Sequence, residues 1–215
     1  MDRTKFYAAA DTLKEHHMDV LRHERSYKTK GVPKVREHLQ AFLDGTLQGR
    51  VDVLGNDALD LLGWQLQAPL NELAAVAPDE FRAALTALWV QPLRAEHADE
   101  FWRLLDSALD RLKPGSRNTF NGLGARTTVA TYLLYVADPS RFPFYMPSYG
   151  GKFIEHVYGK SKIERLDDGS PGILASAYTK RCEYLFREFN DAGLELKDMM
   201  DLHSALHIYA REYLK

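Results

Sequence analysis

Cysteine is almost missing from this chain. A single thiol, Cys182 in 215 residues, excludes an internal disulfide framework and fits a reducing interior. Long hydrophobic runs are lacking too: the wholly apolar stretches are only a few residues, far short of the roughly 20 that span a bilayer. The N-terminal segment MDRTKFYAAADTLKEHH places charges where a signal peptide needs an apolar core, so the expected compartment is the cytoplasm. No low-complexity tract, internal repeat or disordered linker is visible, which leaves an ordinary globular class.

What is present is 45% hydrophobic and 27% charged residues, enough for one good-sized core or two small lobes sharing one. The net charge of −2 conceals a segregation. Residues 1–36 hold nine Lys/Arg against five Asp/Glu, and 37–112 hold five against thirteen. Residues 113–165 hold eight against three, and 166–215 six against nine. A basic block in an otherwise acidic chain matches the footprint of a polyanion-binding surface, and equally a chance block on a solvated face.

The apolar spacing reads as helical nearly throughout. Phe6, Ala10, Leu13, Val20 and Leu21 mark a helix over 4–25, and KTKGVPK (28–34) reads as a break. VREHLQAFLDG closes at Gly45, and residues 47–56 are the one stretch that suits a short strand or extended loop. Helices follow in DALDLLGWQLQ, in PLNELAAVA started by Pro69, and in PDEFRAALTALWV started by Pro78. AEHADEFWRLLDSALDRLK carries Phe101, Leu104, Leu105, Ala108, Leu109 and Leu112 on one stripe; KPGSRNTFNG reads as a loop. A nearly all-apolar helix of about 14 residues ends at Asp138-Pro139 and belongs at the centre of the core. KFIEHVYG, a long helix from Ser170-Pro171 to Gly193, and a last helix to the final residue complete the chain. The expected fold is mainly α: a multi-helix globular domain with at most a minor strand element. It divides into an N-terminal helical subdomain over 1–112 and a C-terminal one over 113–215, sharing one core.

Gly122-Leu123-Gly124 opens the central helix. Glycine tolerates close backbone approach, and a helix start presents free N–H groups and a positive dipole end. Arg126, Thr127 and Thr128 add donors, so the corner suits a phosphate; it suits a tight helix–helix turn equally well. Sharper readings fail. YMPSYGGKF has Gly151-Lys152 but lacks the first glycine and the hydroxyl of a Walker A loop, and no strand precedes the glycines as a dinucleotide fold requires.

The pattern Phe-x-Gly-Leu-Gly-x-x-Thr-Thr (120–128) resembles the hairpin of helix-hairpin-helix DNA-binding proteins, whose turn amides hold a phosphate without reading sequence. In the glycosylases that carry this hairpin a catalytic Asp stands about 20 residues past the second glycine; Phe144 occupies that place here, which argues against that chemistry. Further on, TTVATYLLYVADPSRFPFYMPSYGGKF and YTKRCEYLFREFNDAGLELKDMMDLHSALHIYAREYL resemble the helical region upstream of the ATPase in McrB-like AAA+ restriction proteins. The resemblance covers residues 115–214. His207 stands where the family usually has Trp, and no Walker motif follows, which fits either a piece of a larger motor or a stand-alone relative. In that family upstream domains recognise DNA, often modified, while a motor and a partner nuclease do the rest. The resemblance therefore implies DNA binding for restriction or antiviral defence, with no catalytic residue, no metal and no cofactor in this chain.

The residues expected to follow the DNA backbone are Gly122, Gly124, Arg126, Thr127 and Thr128, extended by Lys113, Arg117, Arg141, Lys152, Lys160 and Lys162. Tyr145 and Tyr149, among those cations, are the expected base contacts, since an aromatic face stacks on a base while cations hold its phosphates. Phe142 and Phe144 read instead as core plugs, as do Trp64, Trp89 and Trp102. Two other classes stay open. A protein-interaction or regulatory domain would dock a partner ATPase through the acidic 37–112 stretch. A nuclease would use Asp191, Glu195 and Lys197, but these lie between two helices rather than on strands around Mg²⁺. His16, Asp19 and His23, and the pair His203 and His207, have helical metal-ligand spacing without the further ligands a site needs.

Overall fold

A computed structural model describes residues 1–47, 52, 59–159 and 169–214. Helices make up the regular structure, and no strand occurs among the described residues, so the chain is mainly α. Also among them, no helix is long and apolar enough to cross a membrane. The stretch read as a strand lies outside the described residues except for Leu47 and Asp52, and Lys160 and Lys162 lie outside as well.

Helix α1 (Arg3–His16) starts with Asp2 accepting the Lys5 amide, and α2 (Met18–Leu43) follows after His17 alone. The break expected at 28–34 does not exist: α2 runs straight through Gly31 and Pro33. An interior proline removes a hydrogen bond and costs about 3 kcal/mol. Val35, Leu39 and Phe42 bury on the far side of it, each contributing roughly 1.5–3 kcal/mol, so packing outweighs the local penalty. A similar override makes α3 (Trp64–Val76) one helix through Pro69. Trp64, expected inside, is 72% exposed at the start of α3, because the apolar stripe it appeared to continue begins one turn later, at Pro69 and Leu70.

Next come α4 (Pro78–Leu88), α5 (His97–Leu105) and a 3-10 turn at Leu109–Arg111. The stretch read as a loop holds a short helix, α6 (Pro114–Thr119), started by a proline that loses nothing at a first turn. Then α7 (Leu123–Ala137), a π-helical turn (Pro147–Gly151), α8 (Lys152–Tyr158), α9 (Pro171–Asp191) and α10 (Met199–Tyr213) complete the order. The stops fall where the sequence places them, at Asp138-Pro139 for α7 and near Gly193 (φ +86°) for α9.

Two buried clusters form, and they do not divide at residue 112. The first gathers the second half of α2 with α3, α4, α5 and α7, closed by Phe142 and Phe144. The second gathers α8, α9 and α10 with α1 and Leu21, so the chain's first helix packs on its last ones; Phe6 sits 4.7 Å from Phe189. Helix α7 is buried on every side from Thr127 to Val136. Its flanks are therefore fixed, and its N-terminal corner is held rigidly.

Candidate functional site

That corner opens onto a cleft of about 610 Å³. Gly122, the N-cap, is exposed and extended (φ −89°, ψ 139°) and offers no side-chain cap, so the amides of the first turn of α7 have no acceptor within the helix. Leu123 and Gly124 line one wall; Ser148 and Gly151 of the π-helical turn, with Lys152 and Glu155 of α8, line the other. The turn is pinned by Gly151 N–H to the Met146 carbonyl (3.0 Å), and its Gly150 lies so close to the Tyr178 hydroxyl that a side chain there would collide. The macrodipole of α7 and the Lys152 ammonium make this cleft attractive to an anion, and Glu155 opposes them.

Of the described residues expected to bind phosphate, Gly124 and Lys152 line the cleft and Gly122 adjoins it as the N-cap of α7. Arg126, Thr127, Thr128, Lys113, Arg117 and Arg141 do not line it. Arg126 turns away: its Nε donates to the Phe120 carbonyl (2.8 Å) and Nη1 reaches Asp106 (2.9 Å). Its guanidinium also lies over Trp102, whose indole N–H donates to the Arg126 carbonyl (2.9 Å). Arg126 thus clamps the corner to α5. Thr127 and Thr128 are buried, and each hydroxyl donates to its own helix, at the Leu123 and Gly124 carbonyls (2.9 and 2.8 Å). A hydroxyl inside an apolar helix must find an acceptor, and the preceding turn is nearest.

Arg117 pairs with Asp110 (2.8 Å) and Arg141 lies near Asp138 (3.9 Å), while Lys113 is exposed at the start of α6, distant in role from the cleft. The Arg117 and Arg126 pairs join the basic 113–165 stretch to the acidic 37–112 one. These two cations are thereby matched internally. Of the two expected base contacts, Tyr145 lines the cleft with little of its ring exposed, and Tyr149 does not line it. Tyr145 is only 5% exposed, its ring 5.0 Å from Tyr178, and Tyr149 is half-buried with its ring 4.1 Å from His207. Phe142 and Phe144 are buried, as expected of core plugs. Trp102 is buried, and Trp89 is half-buried with its indole N–H on the Leu133 carbonyl (3.1 Å).

Comparison with known proteins returns no match: no family model, no curated protein and no solved structure corresponds to this chain. Its site is defined by geometry alone. Among the described residues no three His, Cys, Asp or Glu side chains gather as a metal site would require. Burial pushes the Cys182 thiol up to about 12, which leaves it an unreactive core group.

Sequence reasoning missed the most unusual polar group. Lys28 is wholly buried, its ammonium held by Glu24 (3.1 Å), the Ser204 hydroxyl (2.7 Å) and Nδ1 of His203 (3.2 Å). Lysine has only donors, so His203 accepts at Nδ1 and carries its own proton on Nε2. Burial lowers the Lys28 pKa, opposed by Glu24. Three residues earlier on α2, Arg25 grips both oxygens of Asp198 (2.9 Å each) and Asp201 (2.8 Å), and these hydrogen bonds raise its pKa. The Tyr135 hydroxyl, buried nearby against His203, has no hydrogen-bond partner among the described residues. This cluster is a strut between α2 and α10. The only visible signal was the Glu24–Lys28 spacing of i, i+4, which looks the same on a solvated face.

The strut makes stability pH-dependent. Burial, then the Lys28 charge, holds His203 well below its ordinary 6.5, and the same causes bring His207 down to about 4. Below about pH 6.5 the unfolded chain takes up protons at both imidazoles while the folded chain refuses them. Stability is therefore full above that pH and falls as pH drops toward about 4. Urea unfolding at about pH 7.5 and about pH 5 should show the midpoint falling, and His207→Gln should flatten part of that fall. An unchanged midpoint would contradict the buried, neutral state of both rings.

Proposed function

We propose that this chain is a DNA-recognition module of a restriction or phage-defence system, holding a backbone phosphate at the corner where α7 begins. The observation that carries the reading is the cleft itself. Uncapped first-turn amides of a rigid helix face Lys152, which makes no ion pair among the described residues. The likeness of residues 115–214 to the region upstream of the McrB-like motors supports it, and within that reading an AAA+ motor or a nuclease is the partner that acts on the bound DNA.

A gel shift titrated with salt tests it. Each neutralised phosphate contributes a slope of about −0.9 in log affinity against log salt. Lys152→Glu should weaken duplex binding by ten-fold or more and reduce the slope by about one. No binding by the wild type at low salt, or a slope near zero, would remove the proposal. A second reading, docking of a partner ATPase, is favoured by one observation: Trp64 stands 72% exposed in the acidic stretch. On that reading Lys152→Glu leaves complex formation untouched.

A further inference from the structure

Helix α8 has only seven residues, so its two ends lie about 10 Å apart. Its N-terminal end carries Lys152 into the cleft just described. Its C-terminal end carries Tyr158 into a second, open groove of about 470 Å³. The floor and far wall of this groove come from α9. Ala177, Lys180, Arg181 and Tyr184 follow the i, i+3, i+4, i+7 spacing of one helix face, while Tyr178, Cys182, Leu185 and Phe189 point into the core. An outward stripe of a soluble helix is ordinarily charged along its whole length. Here Tyr184 of that stripe and Tyr158 of α8 line the groove together with two cations and an alanine.

The parts are set in place. The Arg181 guanidinium lies 4.1 Å from the Tyr158 ring centroid. Arg3, which is paired with Glu188, reaches the Tyr184 hydroxyl (3.4 Å), so the ring of Tyr184 is oriented from its polar end. Neither Lys180 nor Arg181 makes an ion pair among the described residues. Arg181 rests on the Tyr158 ring, and Lys180 lies near enough to Glu96 to help lower its pKa, so a ligand here would meet cations held in place. Aromatic faces beside unpaired cations form the general chemistry of single-stranded nucleic-acid binding, in which rings stack on bases of any kind and the cations track phosphates. On α8, Lys152, Glu155, His156 and Tyr158 stay accessible while Phe153, Ile154 and Val157 bury, so Lys152 and Tyr158 stand at the two edges of one exposed arc, about 120° apart.

We propose that the Tyr158–Arg181–Tyr184 groove is a stacking platform for a single-stranded nucleic acid whose neighbouring phosphate sits at the α7 corner. This rests on the reading of that corner as a phosphate site. The test is fluorescence anisotropy at low salt with three labelled probes of equal length: an oligo-dT strand, the same backbone with abasic positions, and a duplex. The oligo-dT strand should bind roughly ten-fold or more tightly than the abasic strand, a comparison that needs no variant protein. Tyr158→Ala and Tyr184→Ala should each weaken oligo-dT binding by about that factor and leave duplex affinity within about two-fold, and Tyr158→Phe should retain it. Equal affinity for oligo-dT and abasic strands overturns the platform while leaving the phosphate corner standing. Loss of duplex and single-strand binding together in the tyrosine variants also overturns it. A wild-type protein that binds none of the three probes overturns both readings.

Discussion

Replacing Glu24 by glutamine is expected to destabilise the fold by about 3 kcal/mol, because it strands a buried ammonium among neutral partners. Lys28 is 0% exposed and Glu24, itself 31% exposed, is the carboxylate paired with it, 3.1 Å away. Removing one member of a buried pair is costlier than removing both. Lys28→Met should therefore cost less than Glu24→Gln, and Glu24→Gln/Lys28→Met should recover most of the loss. The Ser204 hydroxyl, which already donates to the Met200 carbonyl (3.0 Å), loses no essential partner in either case. A pH series adds an independent check. With the folded-state lysine held below its ordinary 10.5, the unfolded chain binds the proton more readily, so the Glu24→Gln penalty should shrink as pH rises from about 7 toward about 10. Urea unfolding of the four chains measures both effects. A Glu24→Gln cost under about 0.5 kcal/mol would mean that the strut between α2 and α10 does not hold the fold together.

Gly172→Ala is the second large change, with an expected loss of about 3 kcal/mol and a fall in Tm of about 6–12 °C. At the start of α9 the Gly172 amide donates to one oxygen of Asp99 (2.7 Å), and the Ser170 hydroxyl donates to the other (2.6 Å). A methyl group at Gly172 would sit 2.6 Å from Asp99 Oδ2 and 2.7 Å from the backbone carbonyl of Glu96. The carboxylate is fixed by its two hydrogen bonds, and the carbonyl belongs to the N-cap of α5. Neither can yield without separating α5 from α9. Asp99→Ala removes only the capping bonds and should cost about 1–2 kcal/mol. Thermal melts that rank Gly172→Ala milder than Asp99→Ala would contradict this close approach.

The two changes lie on contacts of opposite legibility. Ser170-Pro171 announced the start of α9 in the sequence, since a hydroxyl cap followed by proline is a local signal. Asp99, 71 residues away, did not announce that it would complete the same cap. Lys28 is the stronger case. Its i, i+4 partner was visible, but its histidine and serine stand 175 and 176 residues further on, and only their arrival turns a surface-like lysine into a buried one. Arg126 beside the glycine turn pointed to phosphate on sequence grounds; Trp102 of α5 and Asp106 at its C-cap take it instead.

The sequence by itself determined the helical class, the all-round burial of α7, its stop at Asp138-Pro139 and the plugging role of Phe142 and Phe144. These follow from interactions within one or two helical turns, where apolar spacing, glycine and proline act directly. Tertiary structure alone decided that α2 survives Pro33, that α1 packs on the last helices, that Tyr145 turns inward and that Lys152 meets the start of α7. Each of those outcomes weighs a local preference of at most a few kcal/mol against burial and pairing with residues distant in the chain, and the distant contribution is the larger.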